Sequence, residues 1–169
     1  MSGRPVTRLT ITLDDGYADF RRRFEATVPV LDPQRLADFV KRSASWDEVV
    51  TDANAAAPLG FFLFWSLDVA PTMSLNGNTA NCCEYLMGNH VIAERAFRHD
   101  PMAMLYVPLR IVLFQIAGGP TTFVIEQPSS LLSSLGNADI TMVGLDLDKK
   151  LANLFKHLEV PCPQQLLGA

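Results

Sequence analysis

At 169 residues, 49% of them hydrophobic, the chain is long enough to form one domain with a stable core and no covalent or metal staples. A net charge of −4 argues against a nucleic-acid surface, because the only cluster of positive residues is Arg21-Arg22-Arg23, which would project in three directions from a helix. Three cysteines, two adjacent at Cys82-Cys83 and the third at Cys162, form neither a disulfide framework nor a paired zinc spacing. The N-terminus has no apolar signal core and no apolar run reaches the roughly 20 residues of a bilayer span, so the expected setting is a reducing cytoplasm.

In chain order, Leu9, Ile11 and Leu13 alternate with Arg8, Thr10 and Thr12, the period of a half-buried strand. Tyr17, Phe20, Phe24 and Val28 then recur at helical spacing, and Pro29 stops the element. Asp32-Pro33 reads as an N-cap followed by proline at the first helical position, opening a short helix expected to bury Leu36, Phe39 and Val40. Ser45-Trp46-Asp47-Glu48 is a capping-box pattern for a helix through about Ala57, with Val49, Val50 and Ala53 inward.

Phe61 to Val69 is apolar on both faces and predicts a strand at the centre of a sheet. Pro71 to Thr79, rich in Asn and Gly, predicts a loop. Cys82 to Met87 predicts a strand, His90 to His99 a helix, and Met102 to Ile116 a long strand. Thr121 to Gln127 is its hairpin partner across Ala117-Gly118-Gly119-Pro120. Pro128 to Gly136 reads as a Ser-rich loop, and Ala138 to Leu158 as a closing helix that buries Ile140, Val143, Leu147, Leu151, Leu154 and Leu158. Met73, Met87, Met102, Met104 and Met142 are scattered and expected in the core. The economical arrangement is one α+β domain over residues 1–169, its helices packed on a mixed, partly antiparallel sheet.

The most informative segment is Tyr85-Leu86-Met87-Gly88-Asn89-His90, where an apolar strand passes through Gly88-Asn89 into a helix carrying His90 and Glu94. A helix beginning directly after a strand leaves its first N–H groups free to meet an anion, unless Asn89 caps them with its own side chain while Gly88 provides the turn. His90 and Glu94, four residues apart, share a helix face. They suit either an imidazole oriented by a carboxylate or two ligands of one metal.

Aligned on Asn89 to Pro101 and on Leu105-Tyr106-Val107-Pro108 with the strand beyond, the second half of the chain resembles the bacterial and archaeal family called domain of unknown function 302. The family-like core spans about 80–160, preceded by an N-terminal strand and helical part over 1–79. The resemblance implies a small α/β domain that commonly pairs with a second copy, without an agreed activity. The family pattern Gly-x-Cys-Asn-Pro, then Asp-Pro, then Leu-Pro-Cys-Asn is altered here. Gly88 and Leu109 stand where the two cysteines would be, His90 replaces the proline and Arg110 the last asparagine. No thiol role carries over, and this member is read as a divergent branch.

On this alignment Arg110 would lie near the start of the helix and could clamp an anionic group by two parallel hydrogen bonds. The expected function is thus a small-molecule-binding domain, extending to a cofactor-independent acid/base enzyme of cyclase, isomerase or lyase type. In it His90 is the base, Glu94 orients it, and Arg110 stabilises charge on a carbonyl- or carboxylate-bearing compound. Gly88, Asn89, Tyr85, Tyr106 and Glu126 are candidate ligand contacts; for those on strands, as for Glu84, register decides whether they face a pocket. One alternative is a non-catalytic metabolite-sensing homodimer, and another a haem or metal protein using His90. The bland alternative pairs His90 with Glu94 on the surface and Arg110 with an acidic neighbour such as Glu126. No cofactor fingerprint, serine-hydrolase elbow or phosphate loop is present.

Overall fold

A computed structural model describes residues 5–168; residues 1–4, part of the N-terminus read for a signal segment, lie outside the described residues. The elements are β1 (Arg8–Leu13), α1 (Tyr17–Thr27), α2 (Pro33–Lys41), α3 (Trp46–Ala56), β2 (Phe62–Asp68), α4 (Ala70–Ser74), β3 (Asn81–Gly88) and α5 (His90–Phe97). A 3-10 turn (Pro101–Leu105) follows, then β4 (Leu109–Gln115), β5 (Thr121–Glu126), α6 (Pro128–Ser133), α7 (Ala138–His157) and α8 (Gln164–Leu167). The expected α+β class forms. Its five strands lie in the order β1-β5-β4-β3-β2 with every ladder antiparallel, and a parallel component survives only as the single bridge from Val30 to Leu63.

Strand alternation sends one set of side chains under α1 and α7: Ile11, Tyr85, Met87, Ile111 and Phe123 are essentially inaccessible. Aromatic rings fasten this layer. Phe24 meets Tyr85 edge-on at 5.2 Å, and Phe123 meets Phe155 at 5.4 Å. Helix α7 also grips α6: a Cβ on Gly144 would lie 2.7 Å from the Cα of Ser129, so only glycine permits this approach. One turn later, the buried Asp148 carboxylate accepts from Ser129 N (3.0 Å), Ser129 Oγ (2.6 Å) and Gln127 Nε2 (2.7 Å).

The second face of the sheet is covered at one end only. Phe62, opposite Gly88, packs against Ala53 of α3 and Ala57 just beyond its end, and a β-bulge at Phe64 shifts the register before Trp65 returns opposite Leu86. Strand β2 is therefore an edge strand whose later residues, from Trp65 to Asp68, are exposed, correcting the central position expected for it. Its double-sided apolarity reflects α1 and α7 on one side and the small α3 cluster on the other, over only half its length.

Five further expectations are corrected. The long strand from Met102 is a 3-10 turn followed by β4. Asp100 Oδ1 accepts from Met102 N at 2.8 Å with Pro101 at the first helical position, a cap-and-proline signature identical in kind to Asp32-Pro33. The Ser-rich loop contains α6, for which Pro128 is the first helical residue, and the Pro71 loop contains α4. Helix α2 buries none of its residues, because it leans over a hollow rather than over a core. Of the five methionines expected inside, only Met87 is buried; the others lie on the surface or rim a hollow. No helix among the described residues is long and apolar enough to cross a membrane.

Candidate functional site

Helix α5 begins at His90 because Asn89 turns its side chain back onto the backbone. Oδ1 accepts from Val91 N at 2.9 Å and Ile92 N at 3.4 Å, while Nδ2 donates to the Gly60 carbonyl at 3.2 Å. The cap occupies the positive end of this helix, leaving its first donors satisfied from within. Gly88 is the last residue of β3 and supplies no left-handed turn. It is glycine because a Cβ there would press to 3.1 Å from Cβ of Pro108 and 3.2 Å from its Cα.

The His90 ring lies beside Phe62, centroids 5.7 Å apart and planes 31° apart, and both ring nitrogens are buried without a hydrogen-bond partner. Burial pushes the imidazole below the usual histidine value, against the opposing pull of the Asp52 carboxylate, so at neutral pH the ring is uncharged. It carries one unspent N–H and one unspent lone pair, an arrangement that a folded chain ordinarily avoids. The ring stands in the wall of a hollow of about 450 Å³ walled by Phe39, Trp46, Phe64 and Phe97 and by Met104, Val107 and Pro108.

Glu94 also lines this hollow, but its carboxylate is held by Arg98 four residues on, in a two-pronged ion pair. The expected imidazole–carboxylate couple is thus replaced by a Glu–Arg couple.

A second hollow, about 920 Å³, lies on the uncovered face of the sheet over Leu86, Val112 and Val124, with Arg8, Arg110, Tyr106 and Glu126 around it. Pairing Ile111 with Ile125 sets Arg110 and Glu126 on adjacent strands facing the same way. The Arg110 side chain, 74% exposed, meets Glu84 (Nε to Oε1, 3.3 Å), while Glu126 is paired by Arg8 at 3.8 Å. The acidic neighbour of Arg110 is therefore Glu84 across β3 and β4. Tyr106 OH accepts from Ser134 Oγ at 3.3 Å. His90 and Arg110 line different hollows, which have Met104, Val107 and Pro108 in common.

Tyr85 points the other way, into the helix-covered core, where its hydroxyl donates to Glu25 Oε1 at 2.9 Å and burial raises its pKa. Glu25 and Asp68 converge on Arg21 at 3.0 and 2.6 Å, a network anchoring α1 to the sheet. Its one legible signal was the i,i+4 spacing of Arg21 and Glu25. Cys83 is buried beside it, its thiol pushed up by burial, consistent with a small apolar filler. Among the described residues no group of three or more His, Cys, Asp or Glu could hold a metal ion. Sequence reasoning missed the aromatic walls supplied by Phe39, Trp46 and Phe64, which come from α2, α3 and β2; only Phe39 carried a signal, in the apolar stripe of α2 that predicts core contacts.

Residues 39–158 match the family model of the domain of unknown function DUF302. The structure is similar to the crystal structure of an uncharacterised conserved DUF302 protein from Bacillus stearothermophilus. The TM-score is 0.62 at 16% sequence identity, over 92% of this chain and 98% of that one. No curated protein matches the sequence. The chain belongs to the DUF302 family.

Proposed function

We propose that this DUF302 protein binds a small, predominantly apolar organic molecule in the hollow beside His90, with the neutral imidazole as its polar contact. The observation that carries this reading is the pair of buried, unpartnered nitrogens on His90. Leaving a buried donor or acceptor unpaired costs about 1–3 kcal/mol, a penalty that a ligand hydroxyl or carbonyl would relieve once the ring turns a nitrogen toward the hollow. The remaining wall is almost wholly apolar, and its two other polar residues are already engaged, Asn89 in the helix cap and Glu94 with Arg98. A carbonyl compound, accepting from the imidazole N–H, fits this chemistry.

The acid/base reading ranks second. It is favoured by the unprotonated state of His90, whose lone pair can take a proton from carbon or oxygen near neutral pH. It lacks the orienting carboxylate first assigned to it, and its anion clamp would come from the adjoining hollow. The sensing-homodimer reading draws support from the exposed Trp65 and Leu67 on the uncovered sheet face, which a second copy would cover.

The test is an NMR titration with propiophenone, a neutral aryl ketone. Saturable shifts are expected at the Trp46 indole N–H and at the amides of His90, Ala93 and Phe97, and they should vanish in Ala93→Trp, which fills the hollow. Shifts that stay linear with concentration, or that persist in the filled variant, would sink the reading.

A further inference from the structure

The two hollows share a wall but divide their chemistry. The one beside His90 contains no arginine or lysine, and its only carboxylate is neutralised by Arg98. A ligand carboxylate buried there would lack a partner, and an unpaired buried charge costs several kcal/mol. The adjoining hollow offers a cation with donors to spare. Arg110 meets Glu84 through Nε, and among the described residues no hydrogen bond takes its two terminal nitrogens. Guanidinium nitrogens of that kind accept a carboxylate through two parallel bonds. The neighbouring Glu126 is paired by Arg8, so its charge is offset, and Leu86 and Val112 make the surroundings apolar.

We propose, resting on the ligand-binding reading above, that the ligand is an alkyl or arylalkyl carboxylate. Its hydrocarbon body fills the hollow beside His90 and carries a keto or hydroxyl oxygen to the imidazole, and its carboxylate passes Met104, Val107 and Pro108 to reach the terminal nitrogens of Arg110. The apolar body supplies most of the affinity by burial, and Arg110 selects the acid over its neutral analogues. Because Arg110 is largely exposed, water screens this selection and keeps it modest.

Calorimetry on the full-length protein with octanoate and octanamide, equal in chain and different in head-group charge, tests the assignment. Octanoate should bind the native protein about fivefold more tightly than octanamide, the range of a solvent-screened ion pair. Arg110→Gln should erase that preference with octanamide unaffected, and Glu84→Gln, which removes the competing negative charge beside the guanidinium, should strengthen octanoate alone. Ala93→Trp should abolish both. Equal binding of the two probes to the native protein, or equal weakening of both by Arg110→Gln, overturns the placement of the carboxylate while leaving the apolar pocket standing. If neither probe binds the native protein, the ligand-binding reading falls and this inference with it.

Discussion

A methyl group added to Gly88 would lie 3.1 Å from Cβ of Pro108, tighter than ordinary packing allows. That contact sets β3 against the wall common to both hollows, so Gly88→Ala must push Pro108 outward or bend the strand end. The expected cost is about 1–3 kcal/mol, read from urea unfolding. A variant as stable as the native protein would show that the wall yields freely.

His90 makes stability depend on pH with a definite sign. Its folded pKa lies below the unfolded value, so under mildly acidic conditions the unfolded chain binds more protons than the folded one. Above the ordinary histidine value both states are neutral and the group contributes no slope. As pH falls below about 6.5, stability should decline until the depressed folded pKa is passed. His90→Leu should flatten this part of the profile, measured as the difference in Tm between the two proteins from pH 8 to pH 5, and should leave stability at pH 8 unchanged or raised. Parallel profiles for both proteins would contradict the uncharged, partnerless imidazole.

Asp148 holds the start of α6 through three hydrogen bonds from Ser129 and Gln127. Truncation to alanine orphans those donors inside the protein and should cost about 2–4 kcal/mol. Asp148→Asn should fall between, because the amide oxygen accepts while its NH2 faces a donor. Equilibrium denaturation of the three proteins orders them; an undisturbed alanine variant would mean that water replaces the carboxylate.

The Asn89 cap allows a sharper separation. Asn89→Asp keeps the acceptor for Val91 and Ile92 but loses the donor to Gly60, whereas Asn89→Ala loses both. The alanine variant should lose about 1–2 kcal/mol and the aspartate variant less, since its charge also suits the helix start. Equal losses in the two variants, again from denaturation, would make the Gly60 bond the dominant contact.

Helix α2 buries none of its residues in the free protein, with Leu36, Phe39 and Val40 facing the hollow or solvent. Its amides should exchange with deuterium faster than those of α7, and slow when octanoate or propiophenone fills the hollow. No change in α2 protection at saturating ligand would show that the helix takes no part in binding.

Much of this molecule is local and therefore legible in one dimension. The alternation of β1, the hairpin across Gly118-Gly119, the capping box of α3 and the period of α7 each depend on residues a few positions apart, whose steric and hydrogen-bonding preferences act before any tertiary contact. Where local chemistry was passed over, as with Asp100-Pro101 and Pro128, the signals were present but subordinated to an apolar or serine-rich composition.

The site is a different matter. His90 and Glu94 share a helix face by spacing alone, yet Arg98 was free to capture the carboxylate, and spacing ranks neither partner above the other. Tyr85 faces the helices while Arg110 faces the open side of the sheet, because antiparallel register assigns each strand residue to a face, and register is set by partners far away in sequence. Residue order alone determined most of the elements, the Asn89 cap and the prominence of His90. Only the folded chain decided that α2 and α3 would wall that imidazole into an apolar hollow with Arg110 in the next one, since a cavity is made of surfaces that meet only after the chain has closed.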